Sequence, residues 1–556
     1  MFNWKEDIIY QIYPRSFNDS DGDGVGDLMG IIQKLDYLSA LGVNILWLSP
    51  IFRSPNADNG YDISDYRAIQ PEFGSMDDFD ELLMGVRMRG MRLILDLVVN
   101  HSSDEHPWFQ QARRSKDNPY RDFYIWRPPK DGREPNNWLS FFSGPAWTLD
   151  EGTGEYYLHL FTQKQPDLNW ENPKLRQEVY RMMRFWLEKG VDGFRMDVIP
   201  FLSKDPDFPD YPEGRYGDLT LYANGPRIHE FLQEMHREVI SQYPWCITIG
   251  EGFGVSAEQA NLYVGRNRQE LNMIYHFDHA VPREEINFAE PQPEFTLTEL
   301  KAVFDNWDAA IGNEGWQNIY FGNHDNPRVV SRFGDAERYH RESATMLATV
   351  LLSLRGTPTI YQGDEIGMTN CRFNSIEAFD DVQVRNAYTT LVESGRYPAE
   401  QFLTAANRIA RDHARTPMQW SYEPNAGFTT GNPWLMVNPN HSRINVASQQ
   451  VDRQSVLNYY KDLIRWRGNK PTITYGSYRD LLPDDPVVYA FERKYALQTL
   501  LVIANFSRKD TELAIPDLAN GIVEFANYDV SDKVNHTRLR PFEARIYSFK
   551  NESIAT

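Results

Sequence analysis

Gly193-Phe194-Arg195-Met196-Asp197 is the stretch that decides the fold. Residues 175–189 before it put Leu175, Val179, Met182, Met183 and Trp186 on one helical face, and Gly190 follows where a C-cap belongs. The five residues read as a short strand ending in an aspartate. Helix followed by strand is half of an α/β repeat. An acid at the C-terminal end of such a strand stands where parallel α/β folds place their chemistry. The competing reading is an Arg-Asp pair that only holds the core together.

The same pattern recurs outward from this stretch. Apolar runs begin near Ile8, Val43, Arg92, Cys246, Leu271, Trp316 and Thr357, with helical segments at 28–38, 79–89 and 228–240 between some of them. The run 91–99, MRLILDLVV, lacks period-two alternation and is interrupted by Asp96. Such strands are parallel and buried on both faces. With Gly193 they make eight, which predicts an α/β fold, a (β/α)8 TIM barrel. The repeat breaks over 102–169, rich in Trp, Pro, Asp, Asn and Gly, which predicts an inserted domain after strand 3. Beyond 470 short strands at 487–492, 499–506, 511–515 and 543–549 predict a C-terminal antiparallel β domain. The expected boundaries are 1–101 and 169–474 for the barrel, 102–168 for the insert and 475–556 for the C-terminal domain.

Composition narrows the function. The 556 residues carry a formal charge of -21 and no long basic run, which argues against a nucleic-acid partner. Cys246 and Cys371 stand far apart, in no disulfide or metal spacing. No signal peptide and no membrane-spanning stretch is visible, so a cytoplasmic monomer is expected. The segment 19–27, DSDGDGVGD, alternates acids with Ser and Gly. Asp19, Asp21, Asp23 and Asp27 can curl round one hard cation, and oxygen donors suit Ca²⁺ or Mg²⁺. No organic cofactor is implied.

Polar residues end several strands: Asn100-His101, Arg195 with Asp197, Glu251, and His324-Asp325. Converging carboxylates without a nucleophilic Ser or Cys point to acetal chemistry. That chemistry needs one ionised carboxylate and one protonated carboxyl. Arg195 is expected to keep Asp197 ionised, and crowding in GEGFG to raise Glu251.

The stretches IIYQIYPRSFNDSDGDGVGDL, DNGYDISDY, DLVVNHSSDEHPWF, GFRMDVI, IGEGFGV, GNHDNPRVVSRFG, GTPTIYQGDEIGM and ARTPMQW resemble the α-amylase superfamily, glycoside hydrolase family 13, over almost the whole chain. The nearest branch holds oligo-1,6-glucosidases, α-glucosidases, trehalose-6-phosphate hydrolases and sucrose isomerases. The resemblance implies Asp197 as nucleophile, Glu251 as acid/base and Asp325 as the carboxylate that binds and strains the sugar. It implies His101, His324, Arg195, Asp58 and Tyr61 around a terminal glucose, and Phe161 and Arg411 near the leaving group. Arg328 joins the substrate-binding set. Asp19, Asp21, Asp23, Asp27 and the Val25 carbonyl match a structural Ca²⁺ or Mg²⁺ site. Val198 matches a position where Val accompanies α-1,6 specificity and Ala or Thr accompanies α-1,4. The implied activity is that of a retaining exo-acting α-glucosidase on small oligosaccharides. Sucrose isomerisation or hydrolysis, trehalose-6-phosphate hydrolysis and an inactive sugar-binding subunit are the alternatives. Asn326 and the segment 378–384 lean to the isomerases. DHAVPREEI, at 278–286, lacks the Arg-rich loop typical of them.

Overall fold

The computed structural model describes residues 3–212, 219–280, 295–513, 515–516, 518–530 and 535–550. Eight short strands form one parallel sheet: β1 (Ile9–Ile12), β2 (Ile45–Leu48), β3 (Arg92–Leu97), β4 (Gly193–Met196), β5 (Ile247–Glu251), β6 (Met273–Tyr275), β7 (Asn318–Ile319) and β8 (Thr357–Tyr361). Their order is β6-β5-β4-β3-β2-β1-β8-β7. A parallel bridge between Ile274 and Gln317 joins the two ends, so the sheet closes as a barrel. All eight strands begin within a few residues of the expected positions. β7 keeps only two residues of the expected run.

Strand register sorts the barrel interior by height. Ile9, Ile45, Ile94, Ile247, Ile249 and Met273 pack together inside it. Two residues further along their strands, at the C-terminal ends, Ile94 gives way to Asp96 and Ile249 to Glu251. Asp96 lies opposite Arg195 across β3 and β4, and Glu251 lies opposite Tyr275 across β5 and β6. An apolar floor therefore carries a polar top.

The helix Pro173–Lys189 feeds β4. Asn172 caps it, Pro173 occupies its first turn, and its apolar face, including Val179, Met183 and Trp186, is buried. Gly190 ends it in the left-handed conformation. The helix expected over 28–38 is two, Leu28–Gln33 and Leu35–Leu41, because Lys34 leaves helical geometry between them.

Between β3 and β4 the chain forms a small antiparallel sheet from Trp126–Arg127, Trp147–Asp150 and Glu155–Leu158. The C-terminal strands are β9 (Ser477–Asp480), β10 (Val488–Tyr495), β11 (Gln498–Asn505), β12 (Ile522–Ala526) and β13 (Ala544–Lys550), ordered β9-β10-β11-β13-β12 and antiparallel throughout. Buried cations fix this sheet to the barrel. The Lys301 ammonium donates to the Asp485 carbonyl at 2.8 Å, and Arg493 donates to the Ser353 carbonyl at 2.6 Å. Among the described residues no helix is long and apolar enough to cross a membrane.

Gly193 lets β4 lie against β5. Its φ is +153°, and a Cβ there would stand 2.0 Å from the Ile247 carbonyl oxygen. That oxygen belongs to a barrel strand and cannot move alone. Gly193→Ala is expected to destabilise the fold by about 3 kcal/mol. Thermal unfolding of the variant checks this, and an unchanged Tm would refute it.

Candidate active site

The polar top of the barrel opens into a cavity of about 330 Å³. Asp58, Tyr61, His101, Phe161, Asp197, Val198, Glu251, His324, Asp325 and Arg411 all line it. Arg195 lies directly beneath, with no exposed surface.

Arg195 organises the floor. Its Nη1 meets Asp197 Oδ1 at 2.6 Å and Asp96 Oδ1 at 2.8 Å, and its Nη2 meets Glu251 Oε1 at 2.7 Å. Its Nε and Nη2 also donate to the Tyr275 hydroxyl at 2.9 and 2.7 Å. One guanidinium thus faces three buried carboxyl groups, and it cannot neutralise all three. Burial pushes Glu251 up to about 8, and Asp197 and Asp325 add to the rise against Arg195. Burial likewise pushes Asp197 up to about 7 and Asp96 up to about 6. Arg195 works to keep Asp197 ionised, while desolvation and Asp96 oppose it. Glu251 holds its proton most tightly.

Val198 turns the chain out of β4. Its φ and ψ of 34° and 44° are left-handed, a strained choice for a β-branched residue. The strain directs its N–H to Glu251 Oε2 at 2.7 Å and leaves its side chain on the cavity wall.

The third acid has the opposite environment. Asp325 Oδ1 receives Arg415 at 2.9 Å and Arg411 at 3.3 Å. Burial raises its pKa, but the surrounding cations outweigh this and hold the carboxyl well below the usual range. Burial holds His324 down to about 3, so it is neutral near pH 7 and the arginines carry the effect. Gln11 Nε2 donates to His324 Nδ1 at 2.8 Å, which leaves the other nitrogen, Nε2, as the protonated one. That Nε2 faces the Tyr61 hydroxyl at 2.6 Å and Asp325 Oδ2 at 3.2 Å. Tyr61 in turn donates to Asp96 at 3.1 Å. His101, lowered to about 4 by burial, contacts the Tyr61 carbonyl and Gln165.

Arg411 joins several of these acids. It reaches Asp58 at 3.4 Å as well as Asp325, and it is clasped by Asp381 at 2.5 and 2.9 Å. Its guanidinium also lies over the Phe142 ring, 4.8 Å from the centroid. Phe141, Phe142, Phe253 and Phe277 line the cavity in addition to Phe161. Phe253 and Phe277 follow β5 and β6, and their rings pack 5.3 Å apart.

Arg328 is not on the cavity wall. It is buried and spends its N–H groups on the carbonyls of His413, Gln362 and Ala414. The expectation that it binds substrate is corrected: the side chain braces backbone and has no donor aimed at the cavity.

Sequence reading missed Asp96, Tyr275, Gln165, Asp381, Arg415, Phe141, Phe142, Phe253 and Phe277. Asp96 carried a signal, as a charge breaking the apolar run 91–99. Arg415 lies in ARTPMQW, one of the stretches that carried the resemblance.

In the loop after β1, carboxylate oxygens of Asp19, Asp21 and Asp27 lie within 4.8 Å of one another and can hold a metal ion. Asp23 is not in this group. Its carboxylate accepts the Val25 N–H at 2.7 Å.

Residues 11–476 match the family model described as the α-amylase catalytic domain. The chain belongs to the α-amylase family. Among its relatives, the oligo-1,6-glucosidase of Halalkalibacterium halodurans is 52% identical, covering 99% of both chains. The trehalose-6-phosphate hydrolase of Bacillus subtilis is 45% identical over 98% of both chains. A trehalulose synthase variant in complex with Tris superposes with a TM-score of 0.95 at 46% identity, covering 99% of this chain and 100% of the other. The α-amylase family membership makes the chain a glycoside hydrolase by fold and by catalytic-domain architecture.

The protonation pattern has a kinetic consequence. A reaction that uses the Asp197 anion with the Glu251 acid needs the pair singly protonated. Below about pH 7 the anion is lost, and above about pH 8 the proton is lost. The profile of kcat/KM against pH is expected to be a narrow bell with limbs near those values. A level plateau spanning several pH units on both sides of neutrality would contradict this arrangement.

Proposed function

We propose that the protein is an exo-acting, retaining α-glucosidase that removes terminal glucose from short oligosaccharides and prefers α-1,6 links. The observation that carries this reading is a cavity whose wall brings together Asp197, Glu251 and Asp325, with Arg411 joining Asp325 to Asp58 and the most tightly held proton on Glu251. The ion pairs of Arg411 with Asp58 and Asp325 support a site for one terminal sugar. A protonated carboxyl and a second carboxyl that share Arg195 support double displacement.

Asp197 attacks the anomeric carbon as the glycosidic bond breaks, and Glu251 gives its proton to the departing oxygen. Glu251, now a carboxylate, takes a proton from water as that water attacks the same carbon. Two inversions release α-glucose. Asp325, ionised by its arginines, His324 through its Nε2–H, and His101 face the bound sugar and support the positive charge that develops on it.

The leaving group is read as a neutral sugar. Among the described residues Arg411 is the only cation on the cavity wall, and three carboxylates already occupy it. A dianionic phosphate would need a free one, which disfavours trehalose-6-phosphate. Sucrose isomerisation is the second reading. Asn326, which the isomerases share, lines the cavity with a buried Oδ1 that has no partner. Of the contrasting stretch at 278–286, residues 281–286 lie outside the described residues. The convergence of all three acids speaks against an inactive sugar-binding subunit.

We further propose that the ion in the loop after β1 is a structural Ca²⁺ or Mg²⁺, bound by Asp19, Asp21 and Asp27, with Asp23 and the Val25 carbonyl from the family pattern. Hard oxygen donors support this choice. The domain limits of 101, 168 and 474 are retained as a proposal. So is a cytoplasmic location, which two buried free thiols, Cys246 and Cys371, support.

Wild-type protein is expected to prefer isomaltose over maltose by about 10- to 200-fold in kcat/KM, because a branched side chain at Val198 narrows the path of a 1,4-linked sugar. Val198→Ala should raise the maltose value more than the isomaltose value. Assays of both proteins on both sugars decide it, with sucrose included to look for isomaltulose or trehalulose. Equal changes on isomaltose and maltose would remove the linkage assignment.

Chelation is expected to lower Tm by several degrees while activity below the new transition persists. An unchanged melting curve in EDTA, with no metal found by elemental analysis, would remove the ion.

A further inference from the structure

Arg411 can address both Asp58 and Asp325 only if its guanidinium is held in one plane and at one height. Neither contact is short enough to do this, at 3.4 and 3.3 Å. Asp381 supplies the hold. Its Oδ2 accepts Arg411 Nε at 2.9 Å and its Oδ1 accepts Nη2 at 2.5 Å, a two-pronged clasp that fixes orientation as well as position. Asp381 has no exposed surface and does not line the cavity.

Asp381 is itself well anchored. Asp412 Oδ2 accepts the N–H groups of Asp380 and Asp381 at 2.8 and 3.0 Å. The same Asp381 carboxylate caps the helix Val382–Tyr388 by accepting the Gln383 N–H at 2.9 Å. That helix borders the cavity through Gln383, and Asn386 on it donates to the Phe142 carbonyl at 3.0 Å.

We propose that Asp381 is a positioning residue for the terminal sugar: its clasp on Arg411 sets the geometry in which Arg411, Asp58 and Asp325 together receive one glucose unit. The inference rests on the reading that a terminal glucose binds beside Asp58, Arg411 and Asp325. It assigns the work of recognition there to a residue that never touches the sugar.

Asp381 has two separable tasks, the clasp and the helix cap, and substitutions can part them. Asp381→Asn and Asp381→Ser both keep an oxygen able to cap the helix. Asn turns one prong of the clasp into an N–H₂ group facing another N–H donor, and Ser removes the clasp. Both variants are expected to fold with cooperative melting. Both should weaken binding of D-glucose, measured by calorimetry, by about tenfold or more, the scale of one lost charge-assisted hydrogen bond. KM should rise by a similar factor and kcat should fall less. The ratio of kcat/KM on isomaltose to that on an aryl α-glucoside should not change, because the lost contact lies on the glucose side. A role confined to the cap, which both variants retain, would leave glucose affinity and KM at their wild-type values. That result would overturn the proposal. Glucose binding does not depend on turnover. A wild type that binds glucose yet cleaves neither substrate would remove the hydrolase reading and leave this test standing.

Discussion

Everything at the top of the barrel depends on one buried guanidinium with too many acids around it. Arg195 sits in β4 with Asp96 on one neighbouring strand and Glu251 on the other, and Asp197 two residues along its own. Strand register makes this meeting unavoidable, because inward-facing residues at equal height must share space. Without Arg195 the three carboxyls would be buried and unpaired, an arrangement costing about 3–5 kcal/mol or more. With it, one positive charge serves three acids, and the cluster keeps a proton at neutral pH. Glu251 is where that proton rests. The excess of acid over base that strains the core is the same excess that keeps a proton on Glu251.

A second cluster, a few residues away, has the opposite balance. Arg411 and Arg415 face Asp325, and Arg411 also serves Asp58 and Asp381. There the cations win at Asp325, which stays ionised. Two aspartates of one cavity, Asp197 and Asp325, are therefore shifted in opposite directions, because one shares a single arginine with two other acids and the other draws on two arginines. His324 stands between the clusters and stays neutral, so its Nε2–H contributes direction without adding charge. Val198 adds a mechanical link, since its left-handed backbone presents an N–H to Glu251 and its side chain to the cavity.

The barrel was legible because its strands are uninterrupted apolar runs ended by polar residues, a pattern that survives without any knowledge of neighbours. Arg195, Asp197 and Glu251 were legible for the same reason, as charges at strand ends. What escaped were residues whose meaning is set by distance in space. Asp381 and Arg415 lie in an irregular segment with no periodicity, and each becomes informative only once Arg411 or Asp325 is beside it. Arg328 shows the converse error. It sits next to a motif rich in site residues, yet its guanidinium is consumed by three backbone carbonyls. Adjacency of Asp197 to Arg195 in sequence says nothing of how many other acids claim the same cation.

Arg411 and Arg415 belong to chain that lies far from Asp197 and Glu251 in sequence, and barrel closure explains how that chain is held. β1 and β8 are neighbours in the ring, so the loop after β1 and the long excursion after β8 emerge side by side. They interlock. The Ser16 hydroxyl donates to the Arg415 carbonyl at 2.5 Å, the Met418 N–H to the Ser16 carbonyl at 2.8 Å, and Trp420 Nε1 to the Phe17 carbonyl at 2.6 Å. Further out, Thr429 donates to Asp19 at 2.5 Å, and the Trp434 N–H donates to the Gly24 carbonyl at 3.0 Å. Gly24 admits this contact only because it lacks a side chain; a Cβ would stand 1.7 Å from the Asn432 carbonyl oxygen. The acidic loop and the segment that supplies Arg411 and Arg415 thus form one layer. Whatever stiffens Asp19, Asp21 and Asp27 stiffens the support of Arg411 and Arg415, without any of those acids lining the cavity.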